Sequence, residues 1–147
     1  MYTSNLLSHR NQEPERGVLY IVGTPIGNLE DLSLRASNIL KNVSLIACED
    51  TRTTGKLLKN ISISNKLISF HQYSPKDRLD LLISKLKQGD SIALVSDAGM
   101  PLISDPGNYL VREAKNNNLD VICIPGPCAA ITALVSSGLD CSQFTFF

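Results

Sequence analysis

Five short apolar segments alternate along this chain with segments whose apolar residues recur at helical spacing, and this alternation limits the fold more than any other feature of the sequence. The spacing of Leu79, Leu82, Ile83 and Leu86, for example, is that of one face of a helix. Strands that alternate with helices form a mostly parallel sheet covered by helices. We therefore predict an α/β fold, with a five-stranded, mostly parallel sheet and helices on both faces. The predicted strands are 17–22, 44–48, 66–70, 92–95 and 121–124.

Capping and breaking residues mark the ends of the helices between these strands. Ser, Asp and Asn cap helix N-termini, Pro fits the first helical position, and Gly commonly ends a helix. The first predicted helix begins at a cap, Asp31 or Ser33, and runs to Val43, and the second covers 51–60. The third begins at Ser74-Pro75 and ends at Gly89. The fourth has Asp105 as its cap and Pro106 as its first residue, and the fifth covers 129–137.

The composition is typical of a soluble domain of ordinary size, with 147 residues of which 43% are hydrophobic. Lys+Arg and Asp+Glu both total 14, so any contact with nucleic acid must be local. The cysteines Cys48, Cys123, Cys128 and Cys141 lack zinc-site spacing, and we interpret them as reduced thiols. No apolar run approaches the ~18 residues of a membrane helix, and no apolar leader is present. These features predict a cytoplasmic protein with no membrane partner.

Polar segments rich in glycine, proline and acidic residues follow the predicted strands. The carboxyl ends of parallel strands lie at one edge of the sheet, and ligands bind in the crevice outside that edge. Within these segments, Gly99 allows close approach of a ligand to the backbone, and Asp97 places a carboxylate at a strand end. We therefore predict a binding pocket built from segments 23–28, 49–52, 71–73, 96–99 and 125–128.

Several common chemistries are disfavoured by the motifs. No Gly-x-Gly-x-x-Gly follows the first strand, and Gly55-Lys56 lacks the context of a phosphate-binding loop. No Gly-x-Ser-x-Gly elbow is present, and two isolated histidines do not form a metal cluster. Catalysis through a metal or a covalent serine is therefore not expected.

Four motifs occur together in an order that resembles a known family: GTPIGNL at 23–29, EDTRT at 49–53, SDAG at 96–99 with SDPG at 104–107, and PGP at 125–127 with SGL at 137–139. Over residues 17–147 the chain closely resembles the small-subunit ribosomal RNA methyltransferase I family, within the tetrapyrrole-methylase superfamily. The resemblance implies an enzyme that uses S-adenosylmethionine to methylate the 2′-oxygen of a cytidine ribose in 16S RNA. Its partner would be small-subunit ribosomal RNA or the 30S subunit. It also implies two α/β domains, with the cofactor in the cleft between them, and a homodimer.

The same resemblance assigns residues to the cofactor. It implies that Met100 stands where the family usually has Thr, and Cys128 where it usually has Ser. Each change removes a hydroxyl hydrogen bond, typically worth ~0.5–1.5 kcal/mol, so we expect weakened or altered binding of the cofactor. The implied cofactor-binding residues are Ile26, Gly27, Asp97, Ala98, Gly99, Ile103, Cys128 and Ala129.

Three carboxylates at strand ends are the candidate catalytic groups: Glu49, Asp50 and Asp97. Methyl transfer to a hydroxyl requires that the hydroxyl lose its proton, and a nearby carboxylate can accept it. Our hypothesis is that Glu49 or Asp50 orients or deprotonates the 2′-hydroxyl while Asp97 shapes the cofactor loop. The alternatives are structural: Asp50 caps the helix that begins at Thr51, and Asp97 braces its loop through an Asx turn.

Three basic residues, Arg52, Lys56 and Lys59, fall on one face of the second helix. One interpretation is a stripe that contacts RNA phosphates beside the site. The other is a solvated face, which we favour for the two lysines; Arg52 adjoins Glu49-Asp50 and is the better RNA-binding candidate. We interpret His71 as a turn or surface residue rather than a proton shuttle.

We expect three regions: a disordered arm over 1–16, an α/β methyltransferase domain over 17–140, and the beginning of a connection or strand over 141–147. The aromatic residues at 144–147 suggest that a second domain is absent from this chain, which would leave it inactive on its own. Two alternatives remain: the same fold acting on a tetrapyrrole or protein substrate, and a non-catalytic module that dimerises or docks on the ribosome.

Overall fold

The computed structural model describes residues 11–103 and 107–147 and contains a five-stranded sheet in the order β3-β2-β4-β1-β5. All four strand pairings are parallel, so the predicted α/β fold with a parallel sheet is confirmed. The strands are β1 (Val18–Val22), β2 (Leu45–Cys48), β3 (Leu67–Ser69), β4 (Ile92–Val95) and β5 (Asp120–Ile124). The helices are α1 (Leu34–Asn42), α2 (Thr51–Asn60), α3 (Lys76–Lys87), α4 (Asn108–Asn116) and α5 (Ala129–Ser136).

Helices cover both faces of the sheet, as predicted. Every residue of β1, β2 and β4 is buried, because successive side chains point to opposite faces and each face is covered. On one face, Ile39 of α1 and Leu58 of α2 pack in a shared core. On the other, Leu82 of α3 and Leu110 of α4 belong to a second core.

The order of connections places a crevice at the middle of the sheet. The chain passes from β1 through α1 and α2 to the edge strand β3, and returns through α3 and α4 to β5 on the opposite edge. The strand order therefore reverses between the central strand, β4, and its neighbour β1. Ligands of doubly wound sheets bind outside the strand ends at such a reversal.

The structure shows which of the two predicted residues caps α1. Ser33 is the N-cap, and its Oγ accepts a hydrogen bond from the amide of Ala36 at 3.0 Å. Asp31 instead ends a short 3-10 helix, Leu29–Asp31. The predicted cap Asp105 and helix-opening Pro106 lie outside the described residues.

Residues 11–16, the described part of the predicted N-terminal arm, run beside α1. Arg35 Nε donates to the carbonyl of Asn11 at 3.0 Å, and Asn38 Nδ2 donates to that of Gln12 at 2.7 Å. Residues 1–10 of that arm lie outside the described residues.

The C-terminal part of the chain, from α5 onward, is exposed to solvent, in contrast to the strands of the sheet. No residue of α5 is buried, and residues 141–147 form neither a helix nor a strand. Large apolar side chains are consequently exposed, among them Val135 at 67% and Leu139 at 70%. Within the described part of the chain, no helix has the length and apolar character needed to cross a membrane.

Candidate functional site

The loops that follow β1, β4 and β5 contact one another at the carboxyl edge of the sheet. Thr24 and Gly99 form an antiparallel bridge in which each amide donates to the other's carbonyl at 3.0 Å. Gly23 and Gly126 are packed so closely that a Cβ on Gly23 would lie 2.7 Å from the Cα of Gly126. Two backbone contacts therefore join three loops that are far apart in sequence.

These loops enclose a cavity of about 230 Å³, which we call the apolar cavity. Six of the eight predicted cofactor-binding residues line it: Ile26, Ala98, Gly99, Ile103, Cys128 and Ala129. Met100, Ala130 and Phe146 complete its lining. The lining is predominantly apolar, as is typical of small-molecule sites.

Gly99 has a geometric reason to be glycine. Its φ is +80°, in the region that favours glycine, and a Cβ there would lie 3.2 Å from Ile26 Cγ2 and 3.4 Å from the Pro127 carbonyl oxygen. Ser96 stabilises the same turn, because its buried hydroxyl lies 3.1 Å from the carbonyl oxygen of Ala98 and 3.2 Å from that of Gly99. Ser96 belongs to the predicted pocket segment 96–99, but its bracing role could not be predicted, because its hydrogen-bond partners depend on how the loop folds.

A second cavity, of about 480 Å³, lies at the ends of β2, β3 and β4, and we call it the acidic cavity. All three predicted catalytic acids, Glu49, Asp50 and Asp97, line this cavity together with Arg52. The loop after β4 contributes to both cavities, because Asp97 lines the acidic cavity and the next residue, Ala98, lines the apolar one.

Asp50 has two structural partners. It is the N-cap of α2, where its Oδ1 accepts a hydrogen bond from the amide of Arg52 at 2.9 Å. It also accepts two hydrogen bonds from the Arg52 guanidinium, Nε to Oδ1 at 3.2 Å and Nη2 to Oδ2 at 3.0 Å. The Arg52 side chain, and then its backbone amide, hold the pKa of Asp50 below its ordinary value. Asp50 therefore caps the helix, as one interpretation predicted, and is a weak proton acceptor.

Asp97 is exposed and differs from Asp50 in its surroundings. Among residues 11–103 and 107–147 no hydrogen bond to its carboxylate is found, and Ser96 supplies the side-chain bracing of the loop. Asp97 also lines a third cavity, of about 260 Å³, together with Gly27 and with Thr53 and Leu57 of α2. Gly27 and Asp97, the other two predicted cofactor residues, thus lie beside the apolar cavity and not in its wall.

The predicted basic stripe is divided by the fold. Arg52 lines the acidic cavity, with 87% of its side chain exposed. Lys56 and Lys59 are exposed on α2 and line none of these three cavities. His71 lies in a turn after β3, where its Nδ1 accepts a hydrogen bond from the amide of Tyr73 at 3.2 Å. In the described part of the chain, no group of three or more His, Cys, Asp or Glu side chains is arranged to hold a metal ion.

Comparison with known proteins shows which family this chain resembles. The model of the family described as tetrapyrrole (corrin/porphyrin) methylases matches residues 18–145. A protein of Escherichia coli O157:H7 named ribosomal RNA small subunit methyltransferase I is 48% identical over 138 residues, which are 94% of this chain and 48% of that protein. A protein of Vibrio cholerae with the same name is 52% identical over 129 residues, 88% of this chain and 45% of that protein.

The chain therefore spans about half the length of the curated relatives it matches. Among solved structures, uroporphyrin-III-C-methyltransferase from Thermus thermophilus superposes with a TM-score of 0.64 at 23% identity, over 87% of this chain and 55% of that one. At this identity the likeness concerns the fold alone. The resemblance to ribosomal RNA small subunit methyltransferase I predicted from the motifs is confirmed.

Proposed function

Because this chain belongs to the tetrapyrrole (corrin/porphyrin) methylase family, we propose that it carries the donor-binding portion of a methyltransferase acting on small-subunit ribosomal RNA. The proposed donor is S-adenosylmethionine, and the proposed acceptor is the 2′-oxygen of a cytidine ribose. The observation that carries the proposal is that one loop, the loop after β4, lines both an apolar cavity and an acidic cavity. The relatives named for ribosomal RNA methylation support the choice of RNA as substrate.

The apolar cavity fits the proposed donor in the character of its wall. Ala98, Gly99 and Ala129 present small side chains and backbone, and the bridge between Thr24 and Gly99 keeps two of the loops together. When bound, S-adenosylmethionine supplies an electrophilic methyl group on a sulfonium. The chain's own part is to bind and orient that molecule, since positioning accounts for much of the rate when the leaving group is good.

The acidic cavity supplies the groups that handle the acceptor. A general base must reach the 2′-hydroxyl and accept its proton. Asp50 is poorly suited, because its oxygens accept hydrogen bonds from Arg52 and its pKa is lowered. We therefore propose Glu49 as the base and Asp97, in the loop that lines both cavities, as the residue that orients the acceptor beside the donor loop.

A tetrapyrrole substrate is the main alternative, since the family model carries that name. Carboxylate-bearing macrocycles would meet three acidic residues around a single arginine at this cavity, and like charges in proximity are repulsive. A nucleoside is neutral and places only its flanking phosphates near Arg52. A methyltransferase of the same fold with a protein substrate, and a ribosome-docking module without turnover, remain as outcomes of the test.

The remaining parts of the proposal concern assembly and location. We propose a cytoplasmic protein that acts as a homodimer, without a metal, in ribosome biogenesis. The exposed apolar residues of α5 and the following segment, such as Ile131 and Phe144, support an interface there, because large exposed apolar patches mark interaction sites.

Mass mapping of small-subunit RNA tests the proposed reaction. RNA from cells with and without the protein that carries this chain should differ by one ribose methyl group on a cytidine. In single-turnover methylation by that protein, Glu49→Gln should lose most of the rate, whereas Asp50→Asn should retain most of it. Unchanged RNA in the deleted strain would contradict the substrate, and an unaffected Glu49→Gln rate would contradict the base.

A further inference from the structure

Tyr73 is an exposed aromatic residue at the acidic cavity. It belongs to the predicted pocket segment 71–73, but the proposed mechanism gives it no role. It lines that cavity, and 82% of it is exposed. An aromatic ring left in water beside a polar cavity offers a ready face to a planar ligand, because ring stacking adds to the gain from burial. Tyr73 is therefore placed to touch whatever molecule enters this cavity.

The turn that carries Tyr73 is fixed by hydrogen bonds on several sides. The amide of Ser74 donates to the carbonyl of His71 at 2.8 Å, and the amide of His71 donates to Ser74 Oγ at 2.9 Å. The amide of Tyr73 itself donates to His71 Nδ1 at 3.2 Å. From α4, the hydroxyl of Tyr109 donates to the His71 carbonyl at 2.6 Å, and its ring packs against Phe70 with centroids 5.0 Å apart.

A preorganised turn lowers the entropic cost of using the ring for binding, because only the side-chain torsions of Tyr73 remain to be fixed. The His71 ring lies edge-on to it at 6.3 Å between centroids. Tyr73 is therefore exposed on a turn that is itself held in place by hydrogen bonds.

We propose that Tyr73 is a stacking platform for an unpaired base of the RNA substrate, which it holds over the acidic cavity. This inference rests on the proposed RNA substrate. Single-stranded RNA is recognised largely by stacking of splayed bases on aromatic side chains. With the base on Tyr73, the neutral ribose faces Glu49 and Asp97, and the flanking phosphates reach the exposed Arg52 at the same cavity.

Variants of Tyr73 test the proposal through RNA affinity. Fluorescence anisotropy with a labelled single-stranded fragment of small-subunit RNA would be measured for this chain and for Tyr73→Phe, Tyr73→Leu and Tyr73→Ala. A stacked base is worth enough that its loss weakens binding about 5- to 100-fold. We expect that loss for Tyr73→Ala, an intermediate loss for Tyr73→Leu, and less than a twofold change for Tyr73→Phe, which keeps the ring.

Two controls separate stacking from general effects. Leu34→Ala removes another highly exposed apolar side chain, 91% exposed on α1 and outside these cavities, and should leave affinity unchanged. The dependence of affinity on salt should be the same for Tyr73→Ala and the parent chain, because the lost contact involves no phosphate. Arg52→Gln, in contrast, should make that dependence shallower.

Each remaining outcome has a distinct meaning. If the parent chain binds the RNA and Tyr73→Ala binds it equally well, the stacking role is overturned while the RNA substrate stands. If the parent chain fails to bind RNA but binds uroporphyrin in a Tyr73-dependent manner, both the RNA substrate and the base-stacking role are overturned in favour of a macrocycle. Binding of neither probe would overturn the proposed function and the stacking role with it.

Discussion

At the scale of single residues, Asp50 shows how one carboxylate can serve a helix and a charged neighbour together. It caps α2 and pairs with Arg52, whose side chain is 87% exposed. Exposed pairs of this kind contribute little to stability and are weakened by salt. The pairing matters more for chemistry, because it lowers the pKa of Asp50 and makes that carboxylate a weaker proton acceptor.

The pH dependence of stability should carry a small contribution from Asp50. Its folded pKa is lower than its ordinary value of 3.8, so its contribution is present above that pH and is lost as pH falls through the folded pKa. Asp50→Asn keeps a good capping residue and removes the charge. Urea midpoints should favour the parent chain at neutral pH, and this difference should shrink steadily below pH 3.8. Asp80 is exposed on α3 and forms neither of the ion pairs found in the described part of the chain, so Asp80→Asn is the matched control. A difference at Asp50 that persists unchanged at low pH would contradict the assignment.

Two glycines, one in the loop after β1 and one inside α2, should respond oppositely to alanine. A Cβ on Gly23 would lie 2.6 Å from Met100 Sδ and 2.7 Å from Gly126 Cα, so Gly23→Ala should destabilise the chain by about 1–3 kcal/mol through overpacking. A Cβ on Gly55, inside α2, would meet only Leu67 Cδ1 at 3.9 Å. Gly55→Ala should therefore stabilise the chain by about 0.5–1 kcal/mol. Urea unfolding of both variants measures this, and equal effects would refute the close approach of the loops.

The loop glycines also show which contacts could not be predicted from the sequence. The motifs correctly indicated small residues in the loops after β1 and β5, because glycine there is visible in the sequence. That Gly23 touches Gly126, or that Thr24 pairs with Gly99, depends on the packing of strands distant in the chain. Thr24 also has a buried hydroxyl without a hydrogen-bond partner in the described residues, a feature that no local pattern reveals.

At the scale of helices and strands, the local sequence pattern predicted where the elements lie better than it predicted which of them are buried. Three of the five strands are buried over their whole length, as continuous apolar runs indicate. Helix α5 is also apolar in sequence, yet none of its residues is buried. Hydropathy reports how apolar a segment is and says nothing about which surface covers it, so the exposure of α5 could not be predicted.

The exposure of α5 predicts a contrast between two helices. Val135 on α5 is 67% exposed, and Val135→Ser should change the free energy of unfolding by less than about 0.5 kcal/mol, because the two residues have similar helix propensity and no packing is lost. Leu110 on α4 is fully buried, and Leu110→Ala should cost about 2–5 kcal/mol. Denaturant unfolding compares them; a loss above 1 kcal/mol for Val135→Ser would mean that α5 packs against the rest of the chain.

At the scale of the whole molecule, the reversal of strand order explains why separate motifs form one site. Segments 23–28, 96–99 and 125–128 follow β1, β4 and β5, and β1 lies between β4 and β5 in the sheet although it is distant from both in sequence. The parallel arrangement could be predicted from alternating elements, and with it the shared edge. The division into an apolar cavity and an acidic one could not, because it depends on the path of the loop between Asp97 and Ile103.

The size of the apolar cavity has a consequence for donor affinity. Its volume of about 230 Å³ is below the roughly 300–1,000 Å³ of typical small-molecule sites, and the chain spans about half the length of its relatives. We therefore expect this chain to bind S-adenosylmethionine at least tenfold more weakly than the full-length E. coli relative, a difference of about 1.4 kcal/mol. Isothermal titration calorimetry of the two proteins side by side measures that ratio.

A variant that fills the apolar cavity shows whether the weak binding of S-adenosylmethionine takes place there. Ala129 lines the apolar cavity at the start of α5, where no residue is buried, so Ala129→Leu should abolish the residual binding heat without lowering the free energy of unfolding. Ala133→Leu, on the same helix and outside the lining, should leave the heat unchanged. Equal affinity of this chain and the full-length relative would mean that these loops alone form the complete donor site, whereas weak binding that survives Ala129→Leu would place the donor elsewhere.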